Sequence, residues 1–167
     1  SHEWFGTAVV TFPDGYRIDV TTARSETYEY PAALPKVKAS ELDADMARRD
    51  FTINSLAIKL NNQPNGKGAF CLIDFFNGER DLKNKEIHVL FRSSFIDDPC
   101  RLFRAIKFEQ RFGFKIGKQT EEWMRAAIKK DIVDSLSGTR LLNEITLILK
   151  EKHPLKYILR MQEFDLL

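Results

Sequence analysis

The groups in this chain that can do chemistry are carboxylates and guanidinium groups. Arg48-Arg49-Asp50 is followed by Asn54, Asp98 is followed by Arg101 and Arg104, and Arg24 and Glu26 precede both sets. Each set also has a local explanation. Asp98-Pro99 reads as a helix start, with Asp suited to the N-cap, Pro to the first helical position, and Arg101 close enough to pair with that Asp. On spacing alone, Arg48-Arg49-Asp50 reads as charge pairing at an exposed helix start. Asp19 alternates with Ile18 and Val20. If those two face a core, Asp19 lies on the open side of its strand, where an ordinary surface Asp also belongs. Other chemistries are poorly served. The three histidines are scattered and the two cysteines, Cys71 and Cys100, lie far apart. No zinc pattern or disulfide scaffold follows, the cysteines read as inert small apolar residues, and a cytoplasmic location is expected.

The elements around these residues must come from a chain of 167 residues, 43% hydrophobic and 30% charged, enough to bury a core. No apolar run reaches the roughly 18 residues that span a bilayer, so no membrane partner is expected. Ser1 to Val10 lacks the pattern of a secretory signal. The net charge of +2 is uneven: residues 1–46 hold four basic against eight acidic residues, and residues 99–130 hold nine basic against three acidic. A basic segment on a near-neutral chain suggests an anionic partner such as nucleic acid, and a solvated helix surface explains the charge equally well.

The front third reads as β structure. Phe5–Phe12 and Tyr16–Thr21, joined by Pro13-Asp14-Gly15, predict a hairpin. Residues 22–40 carry Pro31 and Pro35 and read as a long loop. Ser40 with Asp43 resembles a capping box, predicting a helix through Met46, Phe51 and Leu56 to about Leu60. A polar turn covers Asn61–Gly68. Phe70–Phe76 and Ile87–Phe91 read as strands, with a loop through Asn77-Gly78 and Leu82 between them. After Ser94 the pattern is helical. One helix runs from Asp98 to a stop at Gly113, with Leu102, Ala105, Ile106 and Phe112 on one side and Arg101, Arg104, Lys107 and Arg111 on another. Thr120 is expected to cap the next. A third follows Gly138, with Leu141, Leu142, Ile145, Ile148 and Leu149 inward, and a last starts at Pro154. Phe103, Phe108, Phe112, Phe114 and Trp123 fall at helical spacing and read as core rather than base-stacking platforms. The amphipathic last helix ends at Asp165-Leu166-Leu167, which suggests a chain cut from something longer or half of an assembly.

Arg48-Arg49-Asp50-Phe51-Thr52-Ile53-Asn54-Ser55-Leu56-Ala57 closely resembles a signature of the class II tRNA nucleotidyltransferases, the CCA-, A- and CC-adding enzymes and related bacterial poly(A) polymerases. Other matches follow in the family's order: Phe5-Gly6-Thr7, Thr22–Tyr28 with Pro31 and Ala33-Leu34-Pro35, Asp74 with Asp81-Leu82-Lys83-Asn84, Ser94–Arg101 through Arg104-Ala105, Phe112-Gly113-Phe114, and Ser137-Gly138 with Arg140 and Glu144. The resemblance covers nearly the whole chain. It departs at Asn77-Gly78, where many relatives have two glycines at a proposed hinge, and at Asp97, where Glu is usual.

The resemblance implies an α+β fold: residues 1–92 as the latter part of a polymerase-β-like nucleotidyltransferase head, 93–136 as a helical neck, and 137–167 as the start of a helical body. It implies transfer of A, or of C and A, from ATP and CTP to the 3′ end of tRNA with Mg²⁺. Asp19 would be a catalytic third carboxylate holding metal. Arg48, Arg49, Asp50 and Asn54 would meet sugar and triphosphate. Asp98 and Arg101 would read the base, because C and A share an exocyclic amino donor beside an unprotonated ring nitrogen. Arg104 would face the phosphates. Arg24 and Glu26 would belong to the flexible loop retained by enzymes that add the terminal A. The family's glycine-rich opening and Asp-x-Asp strand precede the region matched, so the chain alone is expected to give no turnover. Alternatives are a fragment of a bacterial poly(A) polymerase and a non-catalytic RNA- or nucleotide-binding module. A dimer through an exposed sheet edge or the C-terminal helix is a further expectation.

Overall fold

The computed structural model describes residues 6–61 and 70–167. Phe5 and the turn expected over Asn61–Gly68, apart from Asn61 itself, lie outside them. Among these residues the β structure is three antiparallel pairs and one parallel pair. Strands β1 (Thr7–Thr11) and β2 (Arg17–Thr21) pair in the register Val9↔Asp19. Gly15 closes their turn at φ +84°, a conformation that favours glycine. The alternation expected of β2 is present but covers no core: Ile18 and Val20 are 43% and 52% exposed. The reason given for singling out Asp19 therefore fails.

Residues 22–40 are more ordered than a long loop. β3 (Arg24–Thr27) pairs with β4 (Lys36–Ala39), so Arg24 and Glu26 stand on a strand and the connecting loop is residues 28–35. The helix expected to reach Leu60 stops early. Helix α1 is only Leu42–Ala47, begins after Glu41, and has no side-chain cap. A 3₁₀ turn follows at Thr52–Asn54, then β5 (Leu56–Lys59), paired with β6 (Cys71–Asp74). Leu56-Ala57-Ile58-Lys59 satisfies a strand as well as a helix over so short a run, and cross-strand pairing decides. The expected loop after Asp74 is helix α2 (Gly78–Asn84). Asp74 Oδ1 accepts from Phe76 N and Gly78 N, and Oδ2 from Glu79 N, which satisfies N–H groups at the helix start. Asn77 takes the left-handed conformation (φ 60°) open to Asn and Gly. Gly78 is pressed against a neighbouring segment: a Cβ there would meet Thr52 O at 2.2 Å.

The expected strand at Ile87–Phe91 shrinks to β7 (Glu86–Ile87) plus one bridge, Phe51↔Val89. β7 runs parallel to β8 (Lys115–Ile116). Between them lie a short helix α3 (Ser94–Asp97) and helix α4 (Cys100–Phe112), stopped at Gly113 (φ +65°) as expected. Helix α5 (Lys118–Ile128) starts before Thr120, which is buried and accepts from Val89 N. Helix α6 (Gly138–Leu149) is capped by Ser137, and α7 (Pro154–Glu163) begins at its proline.

The core gathers around α4. Leu102, Phe103, Ala105 and Ile106 are fully buried with Phe51, Ile87, Phe95, Met124, Ile148, Met161 and Phe164. Phe112, Leu142 and Leu149 are exposed rather than inward. Glu109 is buried on the apolar side because Arg160 of α7 forks onto both its oxygens at 2.7 and 2.9 Å. Helix α7 buries Tyr157 and Met161, leaving Leu155 and Leu159 outside. No helix of the described residues is long and apolar enough to cross a membrane.

Candidate nucleotide site

Three segments converge on one polar cavity of about 550 Å³: the start of the β3–β4 hairpin, the Arg-Arg-Asp turn after α1, and the first turns of α4. Its lining includes Glu26, Arg48, Arg49, Asp50, Asn54, Asp98, Arg101 and Arg104. Of the other residues proposed from sequence, Arg24 stands one step back and Asp19 lies outside.

Asp45, not anticipated, anchors the Arg-Arg-Asp turn. Its Oδ1 accepts from Arg24 N and from Arg48 Nε and Nη2, and its Oδ2 from Arg49 Nη2 at 3.0 Å. Burial alone would raise its pKa, but the bonds from Arg48, Arg49 and the Arg24 N–H hold it below the usual value. Its position three and four residues before two arginines was the available signal. Arg48 is largely spent inside the protein, donating also to Glu26 Oε1 at 2.8 Å and to Arg24 O. Arg49 donates to Asn54 O, while its buried Nε–H has no partner among the described residues.

Asp50 is saturated. Oδ1 accepts from Phe51 N (2.9 Å) and Asn54 Nδ2 (2.8 Å), and Oδ2 from Arg104 Nε and Nη2. The Arg104 guanidinium lies 5.5 Å from the ring centre of Phe108, which also lines the cavity. Phe108 thus differs from Phe103, which is core.

Asp98 and Arg101 do not pair with each other as local spacing suggested. Asp98 Oδ1 accepts from Cys100 N (3.0 Å) and from Arg140 Nη2 (2.7 Å), a residue of α6. Arg140 also donates to Ala32 O in the β3–β4 loop. Arg101 is 4% exposed, donating to Ser94 Oγ and to Arg48 O, both at 2.7 Å. Among the described residues it meets no carboxylate, so it is the cavity's uncompensated charge. Tyr28, also missed, donates to Glu26 Oε2, and burial pushes its phenol up to about 12. Burial likewise lifts the Cys100 thiol to about 11, consistent with an inert residue.

Much of the basic stripe on α4 is spent inside the protein. Lys107 is buried 3.7 Å from Glu144, and Arg111 pairs with Glu151. Charge counting alone therefore overstates the free cationic surface. The donor set for a cation is also thin. Among the described residues one group of three metal-capable side chains occurs, Asp81, Glu86 and His88, none of which lines the cavity. Asp81 there already accepts from Thr52 Oγ1 at 2.7 Å and from Arg80. Among the described residues Asp19 is in no such group.

Two family descriptions match the chain: "Poly A polymerase head domain" over residues 1–88 and "Probable RNA and SrmB- binding site of polymerase A" over 113–167. An A-adding tRNA nucleotidyltransferase of Geobacter sulfurreducens is 53% identical over all 167 residues, which are 18% of that protein. An apo CCA-adding enzyme structure superposes with a TM-score of 0.91 at 48% identity, covering 98% of this chain and 38% of that one. A Thermotoga maritima CCA-adding enzyme complexed with tRNA superposes at 0.79 and 46% identity, covering 98% and 35%. The chain thus spans well under half the length of these relatives. Its α+β head with following helices has the fold of those enzymes. The chain belongs to the poly(A) polymerase head-domain family.

Proposed function

We propose that the chain is the nucleotide-selecting head and neck of a template-independent tRNA nucleotidyltransferase, which adds A, or C and A, to tRNA 3′ ends from ATP and CTP. The observation that carries this is the convergence of Asp50, Asp98, Arg101 and Arg104 on one cavity. Both Asp98 bonds fall on Oδ1, so Oδ2 is the oxygen offered to the exocyclic amino group of A or C. Arg101 uses Nη1 and Nη2 once each and keeps N–H groups for the adjacent ring nitrogen. U and G reverse donor and acceptor. They leave both groups unpaired at a cost of roughly 1–3 kcal/mol each.

In this reading a ribose hydroxyl competes with Arg104 for Asp50 Oδ2, which frees the Arg104 guanidinium for the phosphates beside the unpartnered Arg49 Nε–H. Mg²⁺, when bound, would activate the 3′-hydroxyl and steady the leaving pyrophosphate. The described residues around the cavity supply no group of three donors for it. The proposed division remains head to residue 92, neck to 136, and body beyond. Pairing of two copies through a hairpin edge or the outer face of α7 accompanies the proposal and is checked by sedimentation.

The test is incorporation of each labelled nucleoside triphosphate by the full protein into tRNA ending in CC. Arg101→Ala should cut the preference for ATP over UTP by roughly five- to a hundredfold. An unchanged preference would overturn the assignment. Long tails on unstructured RNA would instead mark a poly(A) polymerase.

A further inference from the structure

A second cavity, of about 580 Å³, shares no lining residue with the first. Phe91, Ile96, Trp123 and Ala127 give it apolar walls, and Arg92 and Lys130, both exposed, add two cations. No carboxylate lines it. Lys107, Arg111, Arg125 and Arg160 are all spent in ion pairs, whereas Arg92 and Lys130 pair with nothing among the described residues. An aromatic-walled slot with two unspent cations suits a flat ring carrying an anionic group. A ring on a phosphate strand fits both features at once, and residues 113–167, which supply Trp123 and Lys130, match a family described as a probable RNA-binding site.

The two cavities meet at one wall. The Phe91 ring lies 5.7 Å from the guanidinium of Arg101, and Ser93, which lines the second cavity, precedes the Ser94 whose hydroxyl holds Arg101 Nη1.

We propose that this second cavity seats one unpaired nucleotide of the bound RNA, its base against Trp123 and Phe91 and its phosphates by Arg92 and Lys130. The inference rests on the function proposed above and adds to it an RNA contact separate from the triphosphate site. A base seated there touches Phe91, whose ring also contacts Arg101, so RNA occupancy and base reading share a side chain.

The experiment is a salt titration of binding between the full protein and a tRNA ending in CC. Lys130→Ala should weaken binding and lower the magnitude of the salt slope by about one. Trp123→Leu should cost roughly five- to 150-fold in affinity from lost stacking. Trp123 is half-buried against the core, so Ala126→Glu, at an exposed position in the cavity lining, tests the same slot without touching packing. It should weaken tRNA binding while leaving ATP binding unchanged. If Lys130→Ala and Ala126→Glu both bind tRNA within about twofold of the native protein, the proposal is overturned. Displacement of tRNA from this slot by free AMP at comparable affinity would overturn it too, marking a free-nucleotide site. Preference for ATP over UTP at saturating tRNA, measured in the same variants and in Arg101→Ala, reports the first cavity independently. Failure of either reading is then seen separately.

Discussion

Replacing Asp45 with Asn tests whether the Arg-Arg-Asp turn is held from behind. The Asp45 side chain is 5% exposed and accepts from one backbone N–H and two guanidinium groups. Asparagine keeps one acceptor oxygen and turns an NH₂ group towards donors. Breaking a buried ion pair costs about 3–5 kcal/mol. Arg48 keeps Glu26 and Arg24 O, and Arg49 is already 40% exposed, so the lower end applies, about 3 kcal/mol. At roughly 2–4 °C per kcal/mol for a chain of this size, Tm should fall by about 6–12 °C, read by circular dichroism near neutral pH. The pH dependence has a definite sign. The folded pKa of Asp45 lies below its ordinary 3.8, so its stabilisation is complete above that value and drains away as pH falls through the folded value. The Tm gap between native and variant should therefore stay level on mild acidification and close below 3.8. Equal Tm values near neutrality, or a gap that survives strong acid, would refute the reasoning.

Arg140→Ala removes the ion pair to Asp98 and the bond to Ala32 O. Selection of ATP over UTP in kcat/KM should drop about five- to thirtyfold, equivalent to roughly 1–2 kcal/mol for a partly exposed charged bond. Gly78→Ala drives a Cβ into a backbone oxygen that cannot swing aside. It should cost about 1–3 kcal/mol in urea denaturation. Asp74→Ala should cost about 1 kcal/mol and speed hydrogen exchange at Gly78 and Glu79. Burial alone would raise the Asp74 pKa, but the backbone N–H bonds together outweigh it and hold the carboxyl low, so this contribution too is lost on acidification.

The helical second half was legible because its signals are local. Gly113 stops α4, Ser137 caps α6 and Pro154 opens α7. The front was harder. Strand β5 reads as helix in the sequence because four residues cannot separate the two periods, and α2 reads as a loop because Asn77-Gly78 is a turn signal that masks the Asp74 bonds to the helix start. The site residues were legible mainly through resemblance, and their partners were not. Arg140 reaches Asp98 across 42 positions and Arg101 reaches Arg48 across 53, and no local pattern records such pairings. Around Asp19 the limit is the converse: alternation tells which residues share a face but not whether anything packs on it, and Ile18 and Val20 are exposed.

Helix α4 is moored at both ends. Its entry is tied through Asp98 and Arg101 to α6, Ser94 and the Arg48 carbonyl, and its exit runs into β8, locked alongside β7. Under the proposed function this makes a gauge with fixed graduations. A nucleobase with the wrong edge finds teeth that will not re-space to suit it, so fidelity owes as much to the stiffness of the mounting as to the strength of any one contact.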